Sequence, residues 1–115
     1  MATGKITKPV AIYDNGTYTQ DLPVLGWVTS GGTLAIAYIF PLQSLSGKTV
    51  SNVSVSDYGQ LRMGYGGYIS YTASNVTPET IASNYFRISV TKSGGYGVTN
   101  NSIFFGFASV TFTVS

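Results

Sequence analysis

Ser102-Ile-Phe-Phe-Gly-Phe-Ala-Ser-Val-Thr-Phe-Thr-Val-Ser115 decides the fold. Side chains of an extended chain alternate between two faces, so Phe104, Gly106, Ala108, Val110, Phe112 and Val114 share one of them. Ile103, Phe105 and Phe107 share the other with Ser109, Thr111 and Thr113. This second face begins apolar and turns polar only in its second half. The alternation predicts a β-strand, and the apolar first half needs cover on both sides, from its own domain or from another subunit. A hydrophobic closing strand of this kind is expected at the distal tip of an assembly.

Working outward, turn residues divide the chain into short, evenly spaced segments. Ile6 to Tyr13 reads as an edge strand or an irregular entry because of Pro9, and Asp14-Asn15-Gly16 reads as a turn. Thr17 to Asp21 predicts a short return strand, Val24 to Thr29 a second, and Thr33 to Phe40 a third, stopped by Pro41. Leu42 to Lys48 reads as a loop. The slipped spacing of Val50, Val53 and Val55 predicts a bulge or a later strand start. Gln60 to Met63 and Tyr68 to Thr72 flank the hairpin-like Gly64-Tyr-Gly-Gly67. Thr77-Pro78-Glu79 has the form of a helix start, closed within a turn or two by Ser83-Asn84. Tyr85 to Lys92 alternates with Phe86, Ile88 and Val90 inward, and Ser93 to Asn101 is a Gly/Asn loop. The expected fold is all-β: a single domain over residues 1–115, an antiparallel, jelly-roll-like β-sandwich of about eight short strands with at most one short helical turn.

Composition narrows the function. Charged residues are 9% of the chain, with Lys+Arg 6 against Asp+Glu 4. The bases Lys5, Lys8, Lys48, Arg62, Arg87 and Lys92 are scattered, so no nucleic-acid partner is expected. The longest near-apolar run, Leu34 to Pro41, is too short to insert in a membrane, and the N-terminus lacks the apolar stretch of a signal peptide. A soluble protein made in the cytoplasm without a leader is expected. With no histidine and no cysteine, a Ser–His triad, a thiol nucleophile and a conventional zinc or haem site are excluded. No cofactor and no metal are expected. The acids Asp14, Asp21, Asp57 and Glu79 each suit a turn, a strand end or a helix start, and none is assigned a catalytic role. The sequons at Asn15, Asn52, Asn75 and Asn100 are those that a Ser/Thr/Asn-rich chain contains by chance.

Binding has more support than catalysis. Nine tyrosines and one tryptophan supply many amphipathic rings. Tyr58, Tyr65, Tyr68, Tyr71 and Tyr96 lie in or beside the glycine-rich connections, where rings offer broad contact at low entropic cost and stack on pyranose faces. Of these, Tyr65, Tyr68 and Tyr96 are the candidate ligand-binding residues. Trp27, Tyr13 and Tyr38 lie within strands and are expected to cover the core or cap strand ends. Leu34 to Phe40 is apolar on both faces, as is the first half of the last strand, which predicts self-association through Ile103, Phe105 and Phe107.

Several features together resemble the C-terminal head domains of bacteriophage tail fibres and related receptor-binding proteins. They are a Lys/Thr-rich N-terminal lead, Gly26-Trp27-Val28 in an early strand, a strand ending in Phe40-Pro41, the Tyr/Gly-rich stretch from Gly64 to Tyr71, and the hydrophobic final strand. The resemblance implies a homotrimeric β-sandwich head on a virion tail that attaches to a host-cell surface glycan or protein. Heptads and triple-β repeats, which mark the fibrous stalk such heads are joined to, are missing from the chain. A free-standing carbohydrate-binding module or lectin, and a structural decoration subunit of a virion, are the alternative readings.

Overall fold

The computed structural model describes residues 11–29, 34–56, 59–62, 66–97 and 102–115. Its strands are β1 Gly16–Val28, β2 Leu34–Ile39, β3 Val50–Val55, β4 Gln60–Arg62, β5 Tyr68–Ser70, β6 Val76–Ala82, β7 Tyr85–Thr91, β8 Gly94–Tyr96 and β9 Ile103–Val114. One sheet has the order β3-β9-β1-β2-β7-β6, and a smaller one the order β4-β5-β8, with every strand pair antiparallel. The fold is the expected all-β sandwich. The large sheet curls until its edges approach, and the Val50 N–H donates to Thr80 Oγ1 at 3.1 Å across the gap between β3 and β6, so it nearly closes into a barrel.

The quoted stretch is the spine of this sheet. β9 pairs with β1 without interruption from Gly16 opposite Val114 to Trp27 opposite Ile103. The two segments expected from Thr17 to Asp21 and from Val24 to Thr29 are therefore one strand of 13 residues. Pro23 does not break it. Its carbonyl accepts the Phe40 N–H at 3.0 Å, on the side of β2, and the reciprocal donor is the one proline lacks. The missing bond falls where the β1–β2 ladder ends, so the β9 ladder loses nothing. Gly26 permits the close approach of β2, since a Cβ there would meet the Ile36 carbonyl oxygen at 2.9 Å.

The inner faces supply one core. Leu22, Val24, Val28, Ala35, Ala37, Ile39, Phe86, Ile88, Val90, Val110, Phe112 and Val114 come from the large sheet, and Leu61 and Ile69 from the small one. Phe86, Ile88 and Val90 point inward on β7 as their alternation predicts. The bulge expected near Val53 is present as a register shift between Ser51 and Ser54, with Asn52 in the left-handed region at φ 51°.

The helix start placed at Thr77-Pro78-Glu79 is a correction: these residues belong to β6. The one short helical turn described lies earlier, as a 3-10 turn over Ala73–Asn75, where the Asn75 carbonyl oxygen Oδ1 accepts the Thr72 N–H at 2.8 Å. Pro78 is tolerated because β6 is a sheet edge, and Glu79 ion-pairs with Arg87 opposite it on β7. Ser83-Asn84 forms the hairpin turn between those strands. A second correction concerns the Gly/Asn loop from Ser93, which contains β8. Most of the strand expected from Ile6 to Tyr13 lies outside the described residues, and its end forms a single bridge from Ile12 to Ser44.

Candidate functional site

The small sheet presents a row of three side chains. Leu61 and Ile69 are fully buried, and alternation turns their neighbours Arg62 and Tyr68 away from the core. The register sets Arg62 opposite Tyr68 on β4 and β5, and Tyr68 opposite Tyr96 on β5 and β8. The two rings are 6.4 Å apart at 31°, and the Arg62 guanidinium carbon lies 5.8 Å from the centre of the Tyr68 ring. Tyr96 is 71% exposed.

Glycine makes this row possible. A Cβ on Gly95 would meet the Tyr68 carbonyl oxygen at 2.8 Å, so a larger residue would push β8 off β5. Gly97, at φ 68°, then turns the chain away in a conformation that side chains resist. The Gly94-Gly-Tyr-Gly97 stretch thus holds Tyr96 on a short strand beside Tyr68. The row offers two tilted aromatic faces, two phenolic hydroxyls and a guanidinium fork at one edge. That set suits a ligand with apolar faces ringed by hydroxyls.

The structure brings together two of the three proposed ligand-binding residues, Tyr68 and Tyr96. Tyr65 lies outside the described residues, as does Tyr58. Arg62 was not singled out as a binding residue from the sequence, although its place one residue after an inward Leu61 in a strand marks it as outward-facing. Tyr71 is structural: its hydroxyl donates to the Val55 carbonyl at 2.7 Å and accepts the Val55 N–H, and burial raises its pKa above 10.0. Tyr13 covers the core as expected, donating to Gln20 Oε1 at 2.8 Å, and burial raises its pKa also.

Trp27 and Tyr38 correct the expectation of core cover. They project from the outer face of the large sheet, alternating with buried Val28, Ala37 and Ile39, their rings 5.6 Å apart. Around them the register builds a grid on that face: Ile103, Trp27 and Ile36 in one row, Phe105, Leu25 and Tyr38 in the next, then Phe107 beside Pro23. Ile103, Phe105 and Phe107, the residues expected to mediate self-association, are 64%, 80% and 75% exposed. The grid ends at Arg87 on β7, whose guanidinium is held charged, its pKa raised by the hydrogen bond to Glu79 and then by Tyr38.

A cleft of about 430 Å³ opens along the seam of β3 and β6, between Ser51, Asn52, Ser54, Val76 and Pro78. Neither a ring nor a titratable side chain lines it, so it supplies little to hold or transform a ligand. Asp14 and Asp21 are exposed, Glu79 is paired with Arg87, and Asp57 lies outside the described residues. Among the described residues no three acidic side chains come together as a metal site, and no helix is long and apolar enough to cross a membrane. Comparison of the chain with protein-family models, with curated proteins and with solved structures found no match to any of them.

Proposed function

We propose that the protein is a non-enzymatic attachment domain that recognises a surface glycan, of the kind displayed on a virion tail to capture a host cell. The observation that carries this reading is the pairing of Tyr68 with Tyr96 in adjacent strands, with Arg62 at the edge of the same row. Rings on strands of a rigid sandwich meet a ligand with little ordering to be done at binding, which favours affinity for flat sugar faces.

A glycan array probed with the wild type and with Tyr68→Ala and Tyr96→Ala tests it. Each substitution removes one stacking face and is expected to weaken binding by roughly threefold to tenfold, from about 0.5–1.5 kcal/mol per aromatic contact. Tyr65→Ala, in the same Gly/Tyr-rich connection, belongs in the set. Unchanged binding in Tyr68→Ala and Tyr96→Ala would end the proposal, as would an array on which the wild type binds nothing.

A further inference from the structure

From the outer face of the large sheet we infer that β9, β1 and β2 pack against a second copy of this chain. The inference stands on a different face from the tyrosine row, and neither depends on the other. Leu61 and Ile69 hold the small sheet against the inner side of the sandwich, so the row and this outer face look away from each other across the core.

The distribution of bulk is the first argument. In this half of the sheet the inward positions Gly26, Ala35, Ala37, Gly106 and Ala108 are small, interspersed with Val24, Val28, Ile39 and Phe104, while the outward ones carry Trp27, Leu25, Ile36, Tyr38, Phe105 and Phe107. A Cβ on Gly106 would meet nothing within 4 Å. Large apolar side chains that a lone domain would use to fill its own core therefore stand on the solvent side. Folding alone gives no reason to place them there.

Size is the second. At their printed exposures Ile103, Phe105 and Phe107 offer on the order of 450 Å², taking roughly 150–250 Å² for a large side chain. The half-buried grid around them brings the face to roughly 700 Å², above the ~300–600 Å² of the largest patch on a typical monomer and near the ~800 Å² each partner gives a stable complex.

Charge decides the occupant. The three rows contain no carboxylate, ammonium or guanidinium; the exposed Asp21 borders them beyond Pro23, and the ion pair at the other border, Arg87 with Glu79, is internally neutralised. Within the three rows a second copy turned about a two-fold axis thus meets neither a like charge nor a charge to strip of water, and Asp21 stays at the solvated rim. A face without a charge pattern also offers nothing to select a foreign partner. β9, β1 and β2 already form one continuous sheet here, so docking on this face orders only side chains.

The test is the mass of the full chain in solution by light scattering, alongside Ile103→Thr, Phe105→Thr and Phe107→Thr combined. These substitutions extend to this end the threonine pattern that β9 already carries at Thr111 and Thr113, so strand propensity is kept. The wild type is expected to associate at micromolar concentration. The triple variant is expected to lose at least about 100-fold in association constant, the scale of removing clustered aromatic anchors, with its far-ultraviolet circular dichroism unchanged. Tyr96→Ala is expected to associate as the wild type does. A monomeric wild type overturns the inference. If that monomer loses stability in the triple variant, the chain's own residues cover the face; if it sediments with neutral phosphatidylcholine vesicles, lipid does. An oligomer that survives the triple substitution overturns it equally.

Discussion

At one end of the β1–β9 ribbon the outward pairs are Thr17 with Thr113 and Thr19 with Thr111; at the other they are Leu25 with Phe105 and Trp27 with Ile103. The β1–β9 register is continuous between them, while the flanking strand changes from β3 beside β9 at the threonine end to β2 beside β1 at the aromatic end. The side chains change as well, on both faces. Behind the threonines the core holds Phe112 packed against Tyr13, Tyr18 and Phe86, with ring centres 5.5–5.7 Å apart. Behind the outward aromatics it holds Gly26, Gly106 and Ala108 interspersed with Val24, Val28 and Phe104. Stability of the single chain is thus concentrated at the threonine end, and capacity for contact with another molecule at the aromatic end.

The sharpest way to break this comparison uses one residue type on one strand. Phe112→Ala, at a fully buried position, is expected to cost about 3–5 kcal/mol of unfolding free energy, because it leaves a cavity among three rings. Phe105→Ala, at 80% exposure, is expected to change the stability of the dilute monomer by less than about 0.5 kcal/mol. Urea titrations at low protein concentration measure both. Equal losses would mean that the outward Phe105 is covered within the chain, and the contrast between the ends would vanish.

Tyr71 joins the core to β3, and its removal is the next largest effect. Tyr71→Phe leaves the buried N–H and carbonyl of Val55 without their partner and is expected to cost about 1–3 kcal/mol. The same hydroxyl gives a signature in pH. Tyr13 and Tyr71 both have folded pKa values raised above 10.0, first by burial. An acid whose pKa is raised by folding holds its proton longer in the folded state than in the unfolded one. The stability is therefore fully present below pH 10 and falls as pH rises through the raised values. Urea midpoints measured from neutral pH upward are expected to stay level until about pH 10 and then decline, less steeply in Tyr71→Phe. A decline that begins well below pH 10 would place its cause elsewhere.

Period-two alternation made the inward sets of β7 and β9 legible, because the outer face of β7 is polar and that of β9 turns polar in its second half. It could not orient β1 and β2. Leu22, Val24 and Val28 compete there with Pro23, Leu25 and Trp27, and Ala35, Ala37 and Ile39 with Leu34, Ile36 and Tyr38. Size then misleads, since the larger residues, Trp27 and Tyr38, face outward. Only the pairing with β9 resolves the choice, and that pairing joins residues far apart in sequence. Thr77-Pro78-Glu79 misled for a related reason: threonine and proline suit an edge strand as well as a helix start, and the acid's partner, Arg87, is set by register. The row of Arg62, Tyr68 and Tyr96 was half visible. Its rings stand out in composition, but their side-by-side placement follows from two tertiary pairings and from the room that Gly95 leaves.

The smallest expected effect lies on the threonine side. Thr19 and Thr111 share a hydroxyl–hydroxyl bond of 2.9 Å on an exposed surface, where each hydroxyl has water as an alternative partner. Thr111→Val keeps the branched shape that suits a strand and removes one hydroxyl, so its cost is expected to be at most about 0.2–1 kcal/mol in a urea titration. A loss above about 2 kcal/mol would show that the threonine ladder itself holds β1 to β9. The outer face would then be structural at both ends, and the exposed aromatics would need no second molecule to explain why the chain carries them.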